Sequence, residues 1–238
     1  MVASPGSGDR AAGIVHQAAA AAARRFLRIW QNPGMGTPAD NAGQEISLPG
    51  GELRLWTGFL GDGEASRLQQ QLTDGLAWQS DRVRLFGREH AIPRRHQWYG
   101  DPDARYRWSG LEMQPLPWTS ELAELRERLG AATGVVFNSV LANLYRNGQD
   151  SMGWHADDEP ELGEQPVIAS ISLGAERDLL LRRKTDRVRG ERSVKLCLPH
   201  GSLLLMSGDT QRNWQHALPR RARLAEPRIN LTFRRILV

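Results

Sequence analysis

The chain has a single cysteine, Cys197, among its 238 residues. That excludes an intramolecular disulfide and a zinc site built on paired cysteines, and it agrees with a reducing, cytoplasmic setting. Cys197 lies in the apolar run Val194–Leu198, which predicts a buried, inert thiol. Long apolar runs are also missing: no stretch approaches the roughly 20 residues that a membrane span needs. The first residues lack the basic segment of a signal peptide, and their alanine run leads straight into Arg24 and Arg25. There is no internal repeat and no sign of a second domain.

Net charge is small as well, +4, but it is unevenly placed. Residues 82–107 hold seven arginines against Glu89, Asp101 and Asp103. Residues 182–195 hold seven basic residues against Asp186 and Glu191, which leaves the rest of the chain net negative. Positive charge clustered on an otherwise acidic protein suits a phosphate backbone; a solvated charged face is the plainer alternative.

Residues 1–45, rich in Ala, Gly, Ser and Pro, read as a disordered or loosely helical arm ahead of one domain over 46–238. The stretch 52–59 predicts an edge strand. Residues 63–76 predict an amphipathic helix with Asp62 as its N-cap, and 119–129 a second helix capped by Thr119 or Ser120. Pro93 and Gly100 break the basic, aromatic segment 83–108 into hairpins or loops. From 137 onward short strands dominate, at 137–145, 167–173, 178–183, 194–198, 202–206 and 227–236. The fold class is mostly β with flanking helices (α+β), a sandwich or barrel.

One stretch carries chemistry. His155 and Asp157 stand two apart, so on an extended chain their side chains point the same way. Imidazole and carboxylate side by side make two-thirds of a facial triad for non-haem Fe(II). By itself such a tripeptide is more often a surface turn. The missing histidine must come from elsewhere, and His216 is the best candidate; His200, in Pro199-His200-Gly201, reads as a turn between two apolar strands. The C-terminal run adds weight. Ile229, Leu231 and Phe233 alternate with Arg228, Asn230, Thr232 and Arg234, the pattern of a strand with two unlike faces. A sheet with one wet face explains that pattern, and so does the inside of a barrel holding a dicarboxylate.

Taken together, His155-x-Asp157, a distant His216 and Arg228-x-Asn230-x-Thr232-x-Arg234 resemble the AlkB family of Fe(II)/2-oxoglutarate dioxygenases. Asn143-x-Tyr145 upstream fits the same order. The resemblance runs from about Leu53 to the C-terminus. It is nearest to the DNA-repair branch, which has runs similar to Val83-Arg84-Leu85-Phe86-Gly87, Phe137-Asn138-Ser139-Val140-Leu141 and His155-Ala156-Asp157-Asp158-Glu159. It implies a double-stranded β-helix (jelly roll) core over 137–238, helices packed outside, and a nucleotide-recognition lid over 82–110.

The resemblance further implies Fe(II) on His155, Asp157 and His216, with 2-oxoglutarate and O2 as co-substrates. Asn143, Tyr145 and Arg228 would hold the remote carboxylate. Arg234 would pair with the carboxylate beside the iron and Asn230 would orient the chelating end; which arginine takes which carboxylate stays open. The reaction implied is hydroxylation of a methyl group on a base nitrogen, lost as formaldehyde, while 2-oxoglutarate becomes succinate and carbon dioxide. A base must leave its stack to reach the iron, at a few kcal/mol, and 1-methyladenine or 3-methylcytosine is cheaper to extrude than a normal base. Phe86 matches a finger that fills the vacated gap in a duplex, although an ordinary core phenylalanine is the alternative. Trp108 would stack on the flipped base, Tyr106 would contact the nucleotide, and Asp158 and Glu159 would bond the exocyclic amine or merely cap a turn before Pro160. Arg220, Arg221 and Arg223 would touch phosphate without reading sequence.

Two departures from the branch, Trp108 in place of a smaller ring and Trp154 just before the first ligand, put substrate preference in doubt. The expected partner is alkylated DNA, duplex favoured over single strand, with a monomeric protein and no membrane. RNA demethylation by the same chemistry, a non-catalytic nucleic-acid-binding module and a small-molecule hydroxylase are the competing readings.

Overall fold

A computed structural model of the chain describes residues 43–85, 88–104, 106–108, 111–185 and 193–237, with the backbone path alone for 83–85, 88–90, 106–108 and 111–113. Two antiparallel sheets face each other. The larger runs in the order β1 (Gln44–Leu48), β2 (Gly51–Trp56), β13 (Ser202–Ser207), β10 (Ile168–Gly174), β15 (Arg228–Arg234), β8 (Ser139–Tyr145), β5 (Arg95–Gly100). The smaller runs β12 (Val194–Leu198), β11 (Arg177–Arg183), β14 (Trp214–Leu218), β9 (Met152–His155). This is the jelly roll, and it is built largely by period-2 alternation.

On β15, Ile229, Leu231 and Phe233 are fully buried in one core with Val140, Ala142 and Leu144 of β8. Helix α1 (Asp62–Gly75) adds Ala65 and Leu72 to that core, and α2 (Ser120–Thr133) adds Leu122, Leu125 and Leu129. The other face of the large sheet meets the small one in a second core, which includes Leu53, Ile168, Leu204 and Met206 opposite Leu179, Leu181 and Leu198. Both faces of β15 are therefore covered. A sheet with one wet face is the reading that loses.

Several expectations need correction. The strand at 52–59 is not an edge: β2 is paired on both sides, because residues 44–48, which begin at the end of the presumed arm, form the outer strand. Asp62 is not the N-cap of α1; Gly61 holds that position without a side-chain bond, and Asp62 and Glu64 lie in the first turn, where they favour the helix dipole. Thr119 does cap α2, its hydroxyl accepting from Leu122 N at 3.4 Å. Cys197 is exposed rather than buried, since it shares the outward face of β12 with Lys195. Partial burial, then Glu176 and Asp178, push its thiol up to about 11, so inertness survives the correction. The segment 82–110 is not all lid. It comprises the hairpin β3 (Arg82–Leu85) with β4 (Arg88–Ala91), then β5 inside the large sheet, then the strand β6 (Tyr106–Trp108) that pairs with β7 (Leu111–Met113). Phe86 lies outside the described residues. Among the described residues, no helix is long and apolar enough to cross a membrane.

The loop joining β8 to β9 is held on several sides. Arg146 grips Asp150 through two side-chain bonds at 2.8 and 2.7 Å. Gly148 N donates to Leu224 O at 2.8 Å, while its own carbonyl accepts from Arg221 N at 2.7 Å. A Cβ at Gly148 would lie 1.7 Å from Arg221 O, so only glycine allows that approach. We expect Gly148→Ala to cost about 1–3 kcal/mol through forced backbone displacement; urea denaturation checks it, and an unchanged midpoint would refute the packing argument.

Candidate active site

His155, Asp157 and His216 come together with one ligand atom from each lying within 4.8 Å of the others. Sheet pairing contributes, because His216 of β14 is the direct partner of His155 on β9. The imidazole centroids stand 4.2 Å apart. Strand periodicity does not place Asp157, however: β9 stops at His155, and Asp157 sits in the irregular segment that follows. Two contacts hold it instead. Arg234 Nη2 donates to Oδ1 at 2.6 Å, and Asp157 N donates to Gln211 Oε1 at 2.9 Å.

The donor set fits a divalent metal. Oδ2 of Asp157 is buried and has no hydrogen-bond partner. His155 Nδ1 lies 2.9 Å from the Gly153 carbonyl, which can only accept, so Nδ1 is the donor there and Nε2 is the nitrogen left for a metal. Burial, with His155 adding to it, pulls His216 down to about 4, so its ring is neutral at pH 7. Burial would raise Asp157, but Arg234 foremost and the two histidines outweigh it and hold the carboxyl below its ordinary value. Two imidazoles and one carboxylate make a facial set with positions to spare.

The cluster opens into a cavity of about 520 Å³, counting its mouth. Asn143, Tyr145, Arg228, Asn230, Thr232 and Arg234 all line it, as the alternation on β8 and β15 predicts. Arg228 is 2% exposed, and no carboxylate pairs with it among the described residues. Its Nη2 donates to Ser172 Oγ at 2.9 Å, its Nε has no partner, and its guanidinium stands 5.6 Å from the Tyr145 ring centre. Burial, helped by Arg177 and opposed by Tyr145, lowers it to about 10. A buried cation without its anion is costly, so the surroundings of Arg228 suit an anionic group. Arg234 Nε is likewise buried and unpartnered. Asn230 is more committed than expected: its amide nitrogen donates to Ser170 Oγ (2.8 Å) and Ile171 O (3.0 Å), and its oxygen accepts from Thr232.

Sequence reasoning missed four polar contributors. Arg94 Nε donates to Asn143 Oδ1 at 2.8 Å. Arg177, 1% exposed, donates to Asp150 O and Pro219 O, with its guanidinium 5.8 Å from the ring centre of Tyr145. Ser172 meets Arg228, and Gln211 meets Asp157. Arg177 had a signal, since it continues the inward row of Leu179 and Leu181 on β11; the others had none. The apolar wall, including Leu141, Met152, Leu204 and Met206, was also unforeseen.

The residues proposed to meet substrate are less gathered. Asp158 is exposed and accepts from Lys184 Nζ at 2.6 Å. Glu159 precedes the short 3-10 turn Pro160–Leu162, which its side chain does not cap. Arg220, Arg221 and Arg223 are exposed on one loop, with Arg221 bonded to Asp178. The side chains of Tyr106 and Trp108 lie outside the described residues. Trp154 lies under the Arg182 guanidinium at 4.3 Å. His200 is remote from the cavity; it accepts from Gly174 N at 2.8 Å and meets Ser66.

A pH effect follows from His216. An exposed histidine takes its proton near pH 6.5, whereas folded His216 waits until about 4. The unfolded state therefore binds the extra proton in that window, and the metal-free protein loses stability as pH falls from about 6.5 to about 4. The full effect is on the order of 3 kcal/mol. His216→Ala should flatten this part of a urea-melt profile; an unaltered slope would place the loss elsewhere.

Comparison with known proteins agrees with this geometry. The family model of the 2OG-Fe(II) oxygenase superfamily matches residues 52–234. The chain is 40% identical over 220 residues to the DNA oxidative demethylase ALKBH2 of Bos taurus, covering 87% of this chain and 79% of that one. It is 43% identical over 202 residues to the alpha-ketoglutarate-dependent dioxygenase alkB homolog 3 of Homo sapiens, covering 81% and 70%. A solved structure of OsALKBH1 shares the fold, with a TM-score of 0.56 at 17% identity over 81% of this chain and 100% of that chain. The chain belongs to the AlkB family of the 2OG-Fe(II) oxygenase superfamily and is a dioxygenase dependent on Fe(II), 2-oxoglutarate and O2.

Proposed function

We propose that this enzyme removes alkyl groups from base nitrogens in DNA, 1-methyladenine and 3-methylcytosine being the lesion type, with duplex as the preferred substrate. The observation that carries the reading is one cavity holding both the His155, Asp157 and His216 cluster and the uncompensated guanidinium of Arg228. The names of the ALKBH2 relatives, DNA oxidative demethylases, support the substrate class.

His155 Nε2, Asp157 Oδ2 and His216 would hold the iron. Arg228, with Tyr145 and Asn143, would take the remote carboxylate of 2-oxoglutarate, and Arg234 would pair with its other carboxylate. When bound, iron, 2-oxoglutarate and O2 would supply the oxidising power: one oxygen atom of O2 hydroxylates the N-methyl group, whose hydroxymethyl is lost as formaldehyde, and the other enters succinate as 2-oxoglutarate loses carbon dioxide. The protein contributes placement. It orients the dicarboxylate between two fixed cations, keeps Asp157 ionised, and excludes water with an apolar wall. Arg220, Arg221 and Arg223 steady the phosphate backbone, and the 82–91 and 106–113 segments act as the recognition lid. In that lid Phe86 fills the gap left by the flipped base, while Tyr106 and Trp108 receive it. Asp158 and Glu159 bond its exocyclic amine. The protein works as a monomer in the cytoplasm, its single domain following the arm.

The test is loss of 1-methyladenine from matched single-stranded DNA, duplex DNA and RNA after adding Fe(II), 2-oxoglutarate and air, with His155→Ala as the blank. Faster turnover on duplex, slowed there by Phe86→Ala, is expected. Turnover on RNA alone would overturn the DNA reading, and equal rates on both DNA forms would overturn the duplex preference. Arg228→Met should raise KM for 2-oxoglutarate at least ~30-fold, the low end of what removing one partner of a buried charge pair costs; an unchanged KM would remove Arg228 from the co-substrate site.

A further inference from the structure

We propose that Gln211 is a positioning residue for the metal centre, holding the Asp157 backbone so that its carboxylate meets the two histidines. The inference rests on the reading of His155, Asp157 and His216 as iron ligands. Its starting point is the end of β9 at His155. No strand ladder reaches Asp157, yet Asp157 is 2% exposed and its N–H needs a partner. Gln211 Oε1 is that partner at 2.9 Å. Arg234 fixes one carboxylate oxygen, but a side-chain bond alone leaves the backbone beneath it free to rotate. Gln211 removes that freedom.

Gln211 is itself held in one orientation. It is 1% exposed, and its Nε2 faces Met206 Sδ at 3.5 Å, a weak acceptor. Turning the amide over would set its NH2 against the N–H of Asp157, leaving both donors unsatisfied. The short helix that carries Gln211, α3 (Thr210–Asn213), is pinned to the large sheet: Glu52 N donates to Thr210 Oγ1 at 2.8 Å. Its other end is tied to the β1–β2 turn, where Asn213 Nδ2 donates to Gly50 O at 2.7 Å and Trp214 Nε1 to Pro49 O at 3.1 Å. The chain then runs directly into β14 and His216. One four-residue helix thus sets the position of two ligands, Asp157 through an amide and His216 through continuity.

The test is Co(II) binding to the metal-free full-length protein by calorimetry, alongside its metal-free melting temperature. Gln211→Met, which keeps the volume and deletes the acceptor, should weaken Co(II) at least about tenfold, in the range that outer contacts to metal ligands contribute. Gln211→Glu, which keeps an acceptor oxygen, should bind within about threefold of wild type. Should Gln211→Met melt earlier yet bind Co(II) like wild type, the amide is merely structural and the proposal falls. Should Gln211→Met fail to fold, Gln211→Glu decides: a tenfold loss in that variant also overturns it. Wild type and His155→Ala are the references. Wild type that fails to bind Co(II), or binds no better than His155→Ala, would sink the ligand reading itself, whereas failure of the Gln211 variants alone leaves that reading standing.

Discussion

The buried pair between Asp157 and Arg234 is the interaction on which the site depends. A carboxylate 2% exposed is costly to keep ionised unless a cation and hydrogen bonds answer it. Arg234 answers one oxygen at 2.6 Å and leaves the other facing two imidazoles. That division makes the residue a usable ligand: ionised, oriented, and with one lone-pair face unspent. With no Arg234, burial would favour the protonated acid, and a protonated acid is a poor metal donor. Part of the Arg234 guanidinium is thereby committed, whereas Arg228 has no carboxylate partner among the described residues and spends one donor on Ser172.

Charge across the cavity has the same logic. Arg228 and Arg234 stand along one face of β15, and among the described residues Asp157 is the only carboxylate in the wall. A dicarboxylate and a divalent metal together add no net charge to this interior, so what they would offer is local: an anion against Arg228, which has no carboxylate of its own, and a cation against the Asp157 carboxylate. The Tyr145 ring is within reach of both the Arg228 and the Arg177 guanidinium, at 5.6 and 5.8 Å from its centre. An aromatic ring tolerates such neighbours because its quadrupole attracts them.

How much of this could be read beforehand depends on which residues carried a local pattern. The face of β15 was legible because seven residues alternate without a break; Asn143 and Tyr145 came from the family resemblance, and their spacing of two sets them on one face of β8. The ligand set came from residue chemistry and family resemblance, but β14 went unnoticed as a strand, since Trp-Gln-His-Ala-Leu is short and shows no clean alternation. β5 was hidden likewise: Arg-His-Gln-Trp-Tyr-Gly reads as a polar loop, yet nearly all of it is buried between β8 and the packing beneath. Arg94 and Gln211 were invisible because their roles are long-range, 49 and 54 residues from their partners. No spacing rule reaches that far. Cys197 failed differently: an apolar run says that a strand is present, but not which of its faces is outward when the flanking Lys195 is the only polar marker.

The loop between β8 and β9 joins these observations. Tyr145 at its start belongs to the dicarboxylate end of the cavity and His155, just beyond it, to the metal end, so the loop sets the separation of the two. Its length is not free to drift. Arg146 closes it onto Asp150, Gly148 is pressed against the backbone of Arg221, Ser151 N donates to Pro93 O, and Arg177 bridges Asp150 O to Pro219 O. Pro93 roots the β3–β4 hairpin, and Arg221 lies within the basic run. The two segments expected to meet nucleic acid are thereby bolted to the six-residue connector that spaces the cavity's two ends, although none of their described residues lines the cavity. A jelly roll needs only a short turn at this point. Multiple bonds crowded onto one surface loop, one of them demanding glycine, are better explained by the need to hold a polar site at fixed distance from the surface that presents its substrate than by the needs of folding alone.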